Sequence, residues 1–377
     1  MCEGRCGIGE LTLFGGEGYR SRMVAEVRDD PGRHFSPRER RRYSRADQFA
    51  VLAASEALTD AALFDTDVPR SSVGVLFGAG ADDLLRHENY YSHVLAGRPA
   101  RPSEILNYLN AASVDSVARH FGLTGLRACI NSACSSGTIA IGYAADLVAT
   151  GQLEAALCGG SDSLCRTALS GFNALRLVDV RPCRPFDVTR NGMSVGEGAG
   201  VLVLEDLDRA RSRGAHVYAE LAGYAAYCEA YHATAPVPDG GAVSALITAT
   251  LAAAGVSPDD VDHVNAHGTG TTANDKAEAM GIRRVFGDRA AHLPVTSVKS
   301  MIGHCLGAAG AVEAVALALT IDRGVIPPTV NHGQTDPDCQ VVDIVANEAR
   351  HQPVQCGVSV SLAFGGNDAA IVMRRPD

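Results

Sequence analysis

Cysteine and histidine side chains stand at the ends of several apolar segments, where they could act on a bound substrate. Cys134 lies in INSACSSGTIAIG, after a short apolar run and before a stretch rich in small residues. His267 and His304 follow two further apolar runs, and Lys299 precedes the second histidine. A thiolate is a strong nucleophile, and a neutral imidazole can donate a hydrogen bond near pH 7. The set therefore suits nucleophilic catalysis by the cysteine.

Cys134 is expected at the beginning of a helix predicted over 134–150. Unpaired N–H groups at a helix N-terminus stabilise a thiolate, so we expect a thiol pKa below its ordinary value of about 8.5. Ser135, Ser136 and Gly137 are small and would let a substrate approach closely. A single cysteine among eleven is more often a core residue. The joint position of this cysteine and two histidines at strand ends favours catalysis instead.

A metal site is the alternative use of these residues, and their spacing does not favour it. His263 and His267 are four residues apart, but a strand followed by a turn does not place them on one face. His304 and Cys305 are adjacent and point in different directions. The eleven cysteines form no CxxC pair, so neither a disulfide framework nor structural zinc is expected.

Apolar segments alternate with helical ones along the chain, which indicates an α/β fold with buried sheets. The length of 377 residues suggests two domains or two fused halves. Side chains at the carboxyl ends of strands line the functional crevice in such folds, so the candidate residues are expected to meet. The main predicted strands lie at 73–80, 154–160, 200–207, 216–227, 261–270, 294–300 and 355–366.

An internal repeat divides the chain into two related halves, 1–215 and 216–377. Placing Cys134 over His304, at an offset of 170, aligns two glycines and the small-residue helices that follow. MSVGEGAGVLVL likewise matches LAFGGNDAAIVM at an offset of 169. The repeat predicts a pseudo-twofold symmetry that brings the cysteine and the histidine together. By the same comparison, the first half carries an insertion at about 84–112 and lacks the strand that opens the second half.

Charge and hydropathy narrow the range of partners and locations. The net charge of -10 argues against nucleic acid, and no apolar run reaches the roughly 18 residues of a membrane span. The start MCEGRCGIGE lacks the apolar region of a signal peptide, so a cytoplasmic location is expected. One cluster of arginines is either the solvated start of a helix or a docking patch for an acidic partner. It comprises Arg38, Arg40, Arg41, Arg42 and Arg45.

Seven motifs run in order through nearly the whole chain: NSACSSGTIAIG, GFNALR, RPFDVTRNGMSVGEGAGVLVLE, AYHATAPVPDG, VNAHGTGTTAND, SVKSMIGHCLGAAGAVEA and SLAFGGND. In these motifs the sequence resembles the β-ketoacyl-acyl-carrier-protein synthases, condensing enzymes of the thiolase superfamily. The resemblance implies the thiolase fold, in which two α/β halves form five layers, αβαβα. It implies no metal and no cofactor beyond the phosphopantetheine of an acyl carrier protein.

The resemblance also implies roles for individual positions. Cys134 corresponds to the nucleophile that takes an acyl group from a phosphopantetheine thioester. His267 and His304 correspond to the two histidines that assist decarboxylation of malonyl-carrier protein. Lys299 and Glu313 correspond to an ion pair beside the second histidine, which would make Lys299 structural rather than a base.

The turn AFGG corresponds to the gate between the acyl and malonyl pockets of the family. Phe364 is the gate residue of this turn, and the backbone N–H groups of Phe364 and Cys134 correspond to the oxyanion hole. Substrate contacts are expected for five further residues: Thr269, Thr271, Gly365, Gly366 and Leu109.

The chain departs from the family in three places. Its start resembles the segment that follows the family's first strand and helix, so that first strand is expected to be missing.

Asn107, Tyr108 and Asn110 lie where, in relatives, side chains form the wall of the acyl pocket near the dimer interface. Leu362 stands where many relatives have Phe. A polar wall suits a polyketide or unsaturated chain better than a saturated one. Alternatively, these three polar side chains face a partner subunit or solvent.

The activity that follows is a decarboxylative Claisen condensation of an acyl group on Cys134 with malonyl-acyl-carrier protein, in polyketide or fatty acid biosynthesis. The expected partners are an acyl carrier protein and a second ketosynthase-like chain, in a homodimer or a heterodimer. A partner-dependent or non-catalytic, chain-length-setting subunit is the first alternative, which the intact cysteine and histidines disfavour. A thiolase acting on coenzyme A esters is the second, but thiolases have a second cysteine where this chain has His304.

Overall fold

The chain folds into two α/β halves with a similar order of elements, and the computed structural model describes residues 1–105 and 112–376. Several predicted strands are buried at every position because both faces of their sheet are covered, as at Val73–Gly78 and Ala155–Asp162. The first half contains β1 (Gly9–Glu10), β2 (Met23–Ala25), α1 (Pro37–Arg42), α2 (Arg45–Asp60), β3 (Val73–Gly78), α3 (Leu84–Leu95), α4 (Ala112–Phe121), β4 (Arg127–Ile130), α5 (Ser136–Ala149), β5 (Ala155–Asp162), α6 (Arg166–Ala174), β6 (Val195–Gly196), β7 (Gly198–Glu205) and α7 (Leu207–Ser212). The second half contains β8 (Glu220–Cys228), α8 (Gly241–Ala254), β9 (His263–Asn265), α9 (Thr272–Phe286), β10 (Pro294–Thr296), α10 (Lys299–Ile302), α11 (Ala309–Arg323), β11 (Val325–Ile326), β12 (Asp343–Ile344), β13 (Arg350–His351), β14 (Cys356–Ser361) and β15 (Asn367–Arg374).

Each half is built on one main sheet. The strand order is β4-β3-β5-β7 in the first half and β12-β10-β9-β14-β15-β8 in the second. The inner strands are parallel, whereas β7 runs antiparallel to β5 and β15 runs antiparallel to β14. The four strands of the first sheet therefore correspond in order to β10, β9, β14 and β15. The described residues place no counterpart of β8 beside β7.

Five layers result from the packing of helices on these sheets. Helices α2 and α4 cover the outer face of the first sheet, and α8 and α9 cover the outer face of the second. Helices α5 and α11 lie between the sheets, where Leu76, Ile141 and Leu317 belong to one apolar core. A Cβ at Gly137 would lie 2.8 Å from the backbone nitrogen of Ala311, so glycine is needed for the two central helices to approach.

Matching turns lead into the two central helices. A single 3-10 turn over 133–135 precedes α5, and another over 306–308 precedes α11. The first residue of each turn is left-handed without being glycine, with φ 55° at Ala133 and 53° at Leu306. This conformation is strained for residues with a Cβ, and it persists only where the surroundings fix it. The two halves thus enter the central layer with the same backbone.

The positions of these turns correct part of the internal repeat. The turns lie 173 residues apart, so the predicted offset of 170, which places Cys134 on His304, is wrong by three residues. Cys134 lies inside its turn, whereas His304 precedes the other turn because its backbone forms a bridge with Val195. The later offset of 169 agrees with the structure, since β7 and β15 begin 169 residues apart.

The connection between β3 and β4 is longer than its counterpart in the second half. It contains α3, a 3-10 turn at 102–104 and α4, whereas α9 is the α-helix between β9 and β10. Within the two described ranges, no helix has the length and apolar content needed to cross a membrane. Residues 106–111 lie outside the described part of the chain, and so do the predicted pocket residues Asn107, Tyr108, Leu109 and Asn110.

Candidate active site

A cavity of about 380 Å³ lies between the two halves, at residues that follow β4, β9 and β14. Cys134, His267 and His304 all line this cavity, so the structure brings the three candidate catalytic side chains together. Cys134 follows β4 of the first sheet, His267 follows β9 of the second, and His304 follows α10. The cavity is therefore a pocket with one thiol and two imidazoles at its wall.

Neutral hydrogen bonds hold the turn that contains Cys134. The Ser132 N–H donates to Ser136 Oγ at 2.9 Å, and that hydroxyl in turn donates to a carbonyl within the turn. The Ser135 hydroxyl donates to the carbonyl of Asn367, the first residue of β15. The nucleophile turn of the first half is thereby tied to the strand that follows the AFGG turn of the second half.

The thiol of Cys134 is harder to ionise than the sequence suggested. Burial raises its pKa to about 11, against the lowering effects of the Lys299 ammonium and of the Phe364 N–H. The expected pKa below 8.5 is therefore wrong. The N–H of Ser136 is already bonded to Ala133 within the turn, so it does not contribute to stabilising a thiolate. At pH 7 the resting side chain is a protonated thiol.

His267 and His304 are buried, neutral imidazoles. Their ring centroids lie 5.3 Å apart, with the rings inclined at 85°. Burial lowers the pKa of both far below the ordinary value, and the Lys299 ammonium lowers it further. The Leu306 N–H donates to His304 Nδ1 at 3.2 Å, which places the ring proton of His304 on Nε2. No described residue accepts a hydrogen bond from this buried Nε2.

Lys299 and Glu313 lie behind His267 and do not line the cavity. Lys299 Nζ donates to the His267 carbonyl at 2.6 Å and lies 3.3 Å from His267 Nδ1. The same ammonium forms a buried ion pair with Glu313. Because an ammonium only donates, Nδ1 of His267 is the acceptor and its ring proton also lies on Nε2. Both imidazoles are thus oriented to donate from Nε2.

Two buried carboxyl groups that the sequence analysis did not single out hold the backbone around the histidines. Glu278 on α9 accepts from the N–H groups of His267 at 2.6 Å and Gly268 at 2.8 Å. Asp162, at the end of β5, accepts from the Gly307 N–H at 2.6 Å, in the turn that leads into α11. Burial raises the pKa of Glu278 to about 8 and that of Asp162 to about 6. Both positions link a strand-end turn to the rest of the fold.

Three further predicted residues line the cavity. Thr269 and Thr271 do so with their hydroxyl oxygens 3.0 Å apart. Phe364 also lines it and packs against Phe172, with 5.8 Å between the ring centroids. These side chains add two hydroxyl groups and an aromatic wall near the thiol.

The two predicted glycines shape the turn rather than line the cavity. Gly365 and Gly366 have φ values of 81° and 70°, a region that favours glycine. They let the chain reverse between Phe364 and β15. Leu362 lines the cavity just before this turn. The substrate contact expected of Leu109 lies outside the described residues and stays a prediction.

His263 has a structural position inside the second sheet. It lies in β9, its Nδ1 is 3.0 Å from the Pro294 carbonyl, and burial lowers its pKa to about 4. Across residues 1–105 and 112–376, no group of three His, Cys, Asp or Glu side chains is arranged to hold a metal ion.

The arginine cluster divides into paired and free side chains. Arg40 pairs with Asp30, and Arg45 pairs with the buried carboxylate of Glu197 and is itself partly buried. Arg45 is therefore a structural residue at the start of α2. The remaining three are exposed and form no ion pair with a residue that the structure describes: Arg38, Arg41 and Arg42.

Comparisons with known proteins cover the whole chain. Residues 7–210 match the family described as beta-ketoacyl synthase, N-terminal domain, and residues 218–332 match its C-terminal domain. The chain is 38% identical to the tetracenomycin polyketide synthase ketoacyl synthase alpha subunit of Streptomyces glaucescens, covering 100% of this chain and 92% of that protein. It is 37% identical to 3-oxoacyl-[acyl-carrier-protein] synthase 2 of Synechocystis, over 100% and 92% of the two chains.

Solved structures agree in fold over the same length. The ishigamide ketosynthase/chain length factor superposes with a TM-score of 0.93 at 37% identity, over 100% of this chain and 93% of that one. A type II polyketide ketosynthase in complex with its acyl carrier protein superposes with a TM-score of 0.91 at 32% identity, over 100% and 93%. The chain belongs to the β-ketoacyl synthase family.

Proposed function

We propose that this chain is an acyltransferase that condenses an acyl group held on Cys134 with malonyl-acyl-carrier protein, releasing carbon dioxide and a β-ketoacyl product. The observation that carries the proposal is one cavity lined by a buried thiol and by two neutral imidazoles that present Nε2–H groups. Such a set can form a thioester and then stabilise an enolate.

In the first step the Cys134 sulfur attacks the thioester carbonyl of the incoming acyl group. The sulfur–carbon bond to Cys134 forms, the bond to phosphopantetheine breaks, and the thiol proton ends on the released phosphopantetheine sulfur. Only about one thiol in 10⁴ is ionised at pH 7 when its pKa is near 11, so this proton is lost during the attack rather than beforehand. The N–H groups of Phe364 and Cys134 would hold the oxyanion.

In the second step malonyl-carrier protein takes the place of the first carrier. The Nε2–H groups of His267 and His304 donate to the thioester oxygen of the malonyl group, which accepts charge as carbon dioxide leaves. The enolate carbon attacks the acyl group on Cys134, and the sulfur–carbon bond breaks to return the thiolate. Neutral donors suit this step because they stabilise the enolate without giving up a proton to it.

The pathway that we propose is polyketide synthesis, with fatty acid synthesis as the second candidate. Relatives named for both pathways match the chain over its full length. Two of the structural neighbours are ketosynthases solved with a chain length factor, which supports a dimer with a similar chain as the working form. A non-catalytic role is disfavoured because the thiol and both imidazoles are present and face the same cavity.

The acyl carrier protein is the second proposed partner, and the three free arginines of α1 are its proposed docking surface. They are exposed and uncompensated, and a basic surface would attract an acidic partner. The structural neighbour solved with its carrier protein supports such a complex. A cytoplasmic location and the absence of a further cofactor remain predictions from the sequence.

Intact-protein mass spectrometry tests the nucleophile. The chain is incubated with acyl-carrier-protein thioesters, alone and with a chain-length-factor partner. We expect the mass to rise by one acyl group, and Cys134→Ala to abolish the gain. Cys228→Ala, which removes an exposed thiol outside the cavity, should acylate like the wild type. Acylation that persists in Cys134→Ala would contradict the proposal.

A further inference from the structure

Asp162, the last residue of β5, lies where the two halves of the molecule meet. Its side chain is fully buried. Its carboxyl group accepts hydrogen bonds from the backbone N–H groups of Gly80, Ala81, Asp82, Gly307 and Ala308. Because each of these partners is a donor, the group binds them as a carboxylate, which has only acceptor atoms. Such a carboxylate holds the segments that carry the N–H groups in one arrangement.

The N–H groups that Asp162 binds come from two turns, one in each half. Oδ1 accepts from Ala81 at 2.7 Å and from Asp82 at 2.6 Å, in the turn that follows β3. Oδ2 accepts from Gly307 at 2.6 Å and from Ala308 at 3.2 Å, in the turn that leads into α11. One side chain therefore joins a turn of the first half to a turn of the second.

The second of these turns begins with the residue that orients His304. Leu306 is left-handed, with φ 53°, and its N–H donates to His304 Nδ1 at 3.2 Å. Among the described residues, this is the one hydrogen bond that the His304 ring makes. The backbone of His304 is held separately, by Ser194 and Gly196. The Leu306 N–H therefore sets which ring nitrogen of His304 carries the proton.

We propose that Asp162 is a positioning residue for His304 and acts through the turn over 306–308. The carboxylate fixes Gly307 and Ala308, and these hold the backbone of Leu306, whose N–H keeps the ring proton of His304 on Nε2. A residue with a Cβ stays left-handed only where its surroundings fix it. This role rests on the proposed function, in which His304 serves the condensation.

Asp162 has no such link to the nucleophile. None of the N–H groups that it binds belongs to the turn that contains Cys134, which is held by serine hydroxyl groups. Loss of the carboxylate should therefore impair the step that uses His304 and spare the acylation of Cys134. A general loss of structure would impair both steps alike.

Asp162→Asn tests this role, because an amide of the same shape turns its NH₂ group toward N–H groups that need an acceptor. Nitrogen NMR of protein with labelled histidines reports which ring nitrogen carries the proton, and the His304 signals are those missing from His304→Gln. We expect the Nε2–H form of His304 in the wild type and a share of the Nδ1–H form in Asp162→Asn. Condensation should fall by about ten-fold or more and acylation by less than about three-fold.

Gly80→Ala disturbs the same contact without removing the carboxylate, and it carries the test if Asp162→Asn does not fold. A Cβ at Gly80 would lie 3.1 Å from the Gly307 nitrogen and 3.3 Å from Asp162 Oδ2, so the two turns must move apart slightly. We expect changes in the same direction as in Asp162→Asn, but smaller, in both the His304 tautomer and the condensation rate.

Asp262→Asn is the matched control. Asp262 also accepts from two backbone N–H groups, those of Gln355 at 2.7 Å and Cys356 at 3.2 Å, but it does not line the cavity. This variant should lose stability and leave the His304 tautomer and both rates unchanged.

The contrary results separate this role from the proposed function. An unchanged His304 tautomer in Asp162→Asn and Gly80→Ala, or equal losses of acylation and condensation, would overturn the role of Asp162. Absence of condensation in the wild type, with the tautomer still altered in Asp162→Asn, would refute the proposed function and leave the positioning role standing.

Discussion

The two turns that enter the central layer share a backbone but differ in the chemistry that supports them. The first turn contains Cys134 and is held by hydroxyl groups of three serines: Ser132, Ser135 and Ser136. The second, with the two histidines beside it, is held by buried ionisable groups: Lys299, Glu313, Glu278 and Asp162. The two turns thus have the same backbone conformation, but different side chains surround them.

The difference between the two turns fits the different roles of the histidines and of the cysteine in the proposed reaction. Burial lowers the pKa of both histidines and the nearby Lys299 ammonium lowers it further, so the imidazoles stay neutral and keep a donor on Nε2. Burial raises the pKa of the Cys134 thiol, and the hydroxyl groups around it add no charge to the lowering effect of Lys299. The same fold thus supports a protonated nucleophile on one side and two neutral donors on the other.

Removing the Lys299 ammonium should change stability and activity more than any other substitution in the two turns. Lys299→Met leaves the Glu313 carboxylate buried without its partner and should cost about 3–5 kcal/mol of unfolding free energy. The double variant Lys299→Met/Glu313→Leu should recover most of this stability, because no buried charge remains. Its condensation rate should stay reduced by about ten-fold or more, since His267 has lost the donor that fixes its tautomer. Denaturant unfolding and product assays measure the two effects.

If the single variant Lys299→Met were as stable as the wild type, the proposed difference between the two turns would be contradicted. It would mean that the charged environment does not hold the second half of the site together.

Acidification should have the second-largest effect, because protonation of the two histidines in the unfolded chain lowers the stability of the fold. Their pKa in the folded chain lies far below the unfolded value of about 6.5, so the unfolded chain binds more protons below that pH. Stability should therefore be lost as the pH falls through 6.5, by roughly 1.4 kcal/mol at pH 5.5 for each histidine. Unfolding free energies at pH 8, 6.5 and 5.5 measure this loss, and His304→Gln should reduce it by one histidine's share. Equal losses in the variant and the wild type would argue against a neutral His304.

Removing a hydroxyl group from the turn that contains Cys134 should have the smallest effect on stability and activity. Ser135→Ala removes one hydroxyl bond to the Asn367 carbonyl and should cost about 1 kcal/mol of stability. The rate of acylation should fall by less than about ten-fold, because the thiol keeps its position in the turn. Thr138→Val, which breaks the hydroxyl contact with Ser361 one turn deeper in α5, provides a matched comparison. A loss as large as that of Lys299→Met would erase the contrast between the two sides.

Much of this architecture could be predicted from the sequence because its signals are local. Apolar runs mark the strands, and the candidates Cys134 and His267 follow two of them, whereas His304 follows the short helix α10. The repeat offset of 169 survives in the structure because β7 and β15 are regular strands. The offset of 170 does not, because His304 lies before its turn, where it pairs with Val195 of the first half.

The supporting groups could not be predicted because burial is a property of the packed fold. No short sequence pattern indicates that Asp162 or Asp368 is buried. Nor does any pattern indicate that burial raises the pKa of the Cys134 thiol more than nearby groups lower it. A partial signal existed for Glu278, which lies three residues after Asp275 on the face of α9 that packs inward. Two acids on a buried helix face indicate partners elsewhere, and these are the N–H groups of the strand-end turns.

The division of labour between the two turns is the central claim, and His304→Ala tests it most directly. The variant is incubated with an acyl-carrier-protein thioester and then with malonyl-carrier protein, while intact mass and product are followed together. We expect Cys134 to acylate at close to the wild-type rate and condensation to fall by at least about 10²-fold, so that the acyl-enzyme accumulates. Loss of acylation in a folded variant, or condensation at the wild-type rate, would contradict the account.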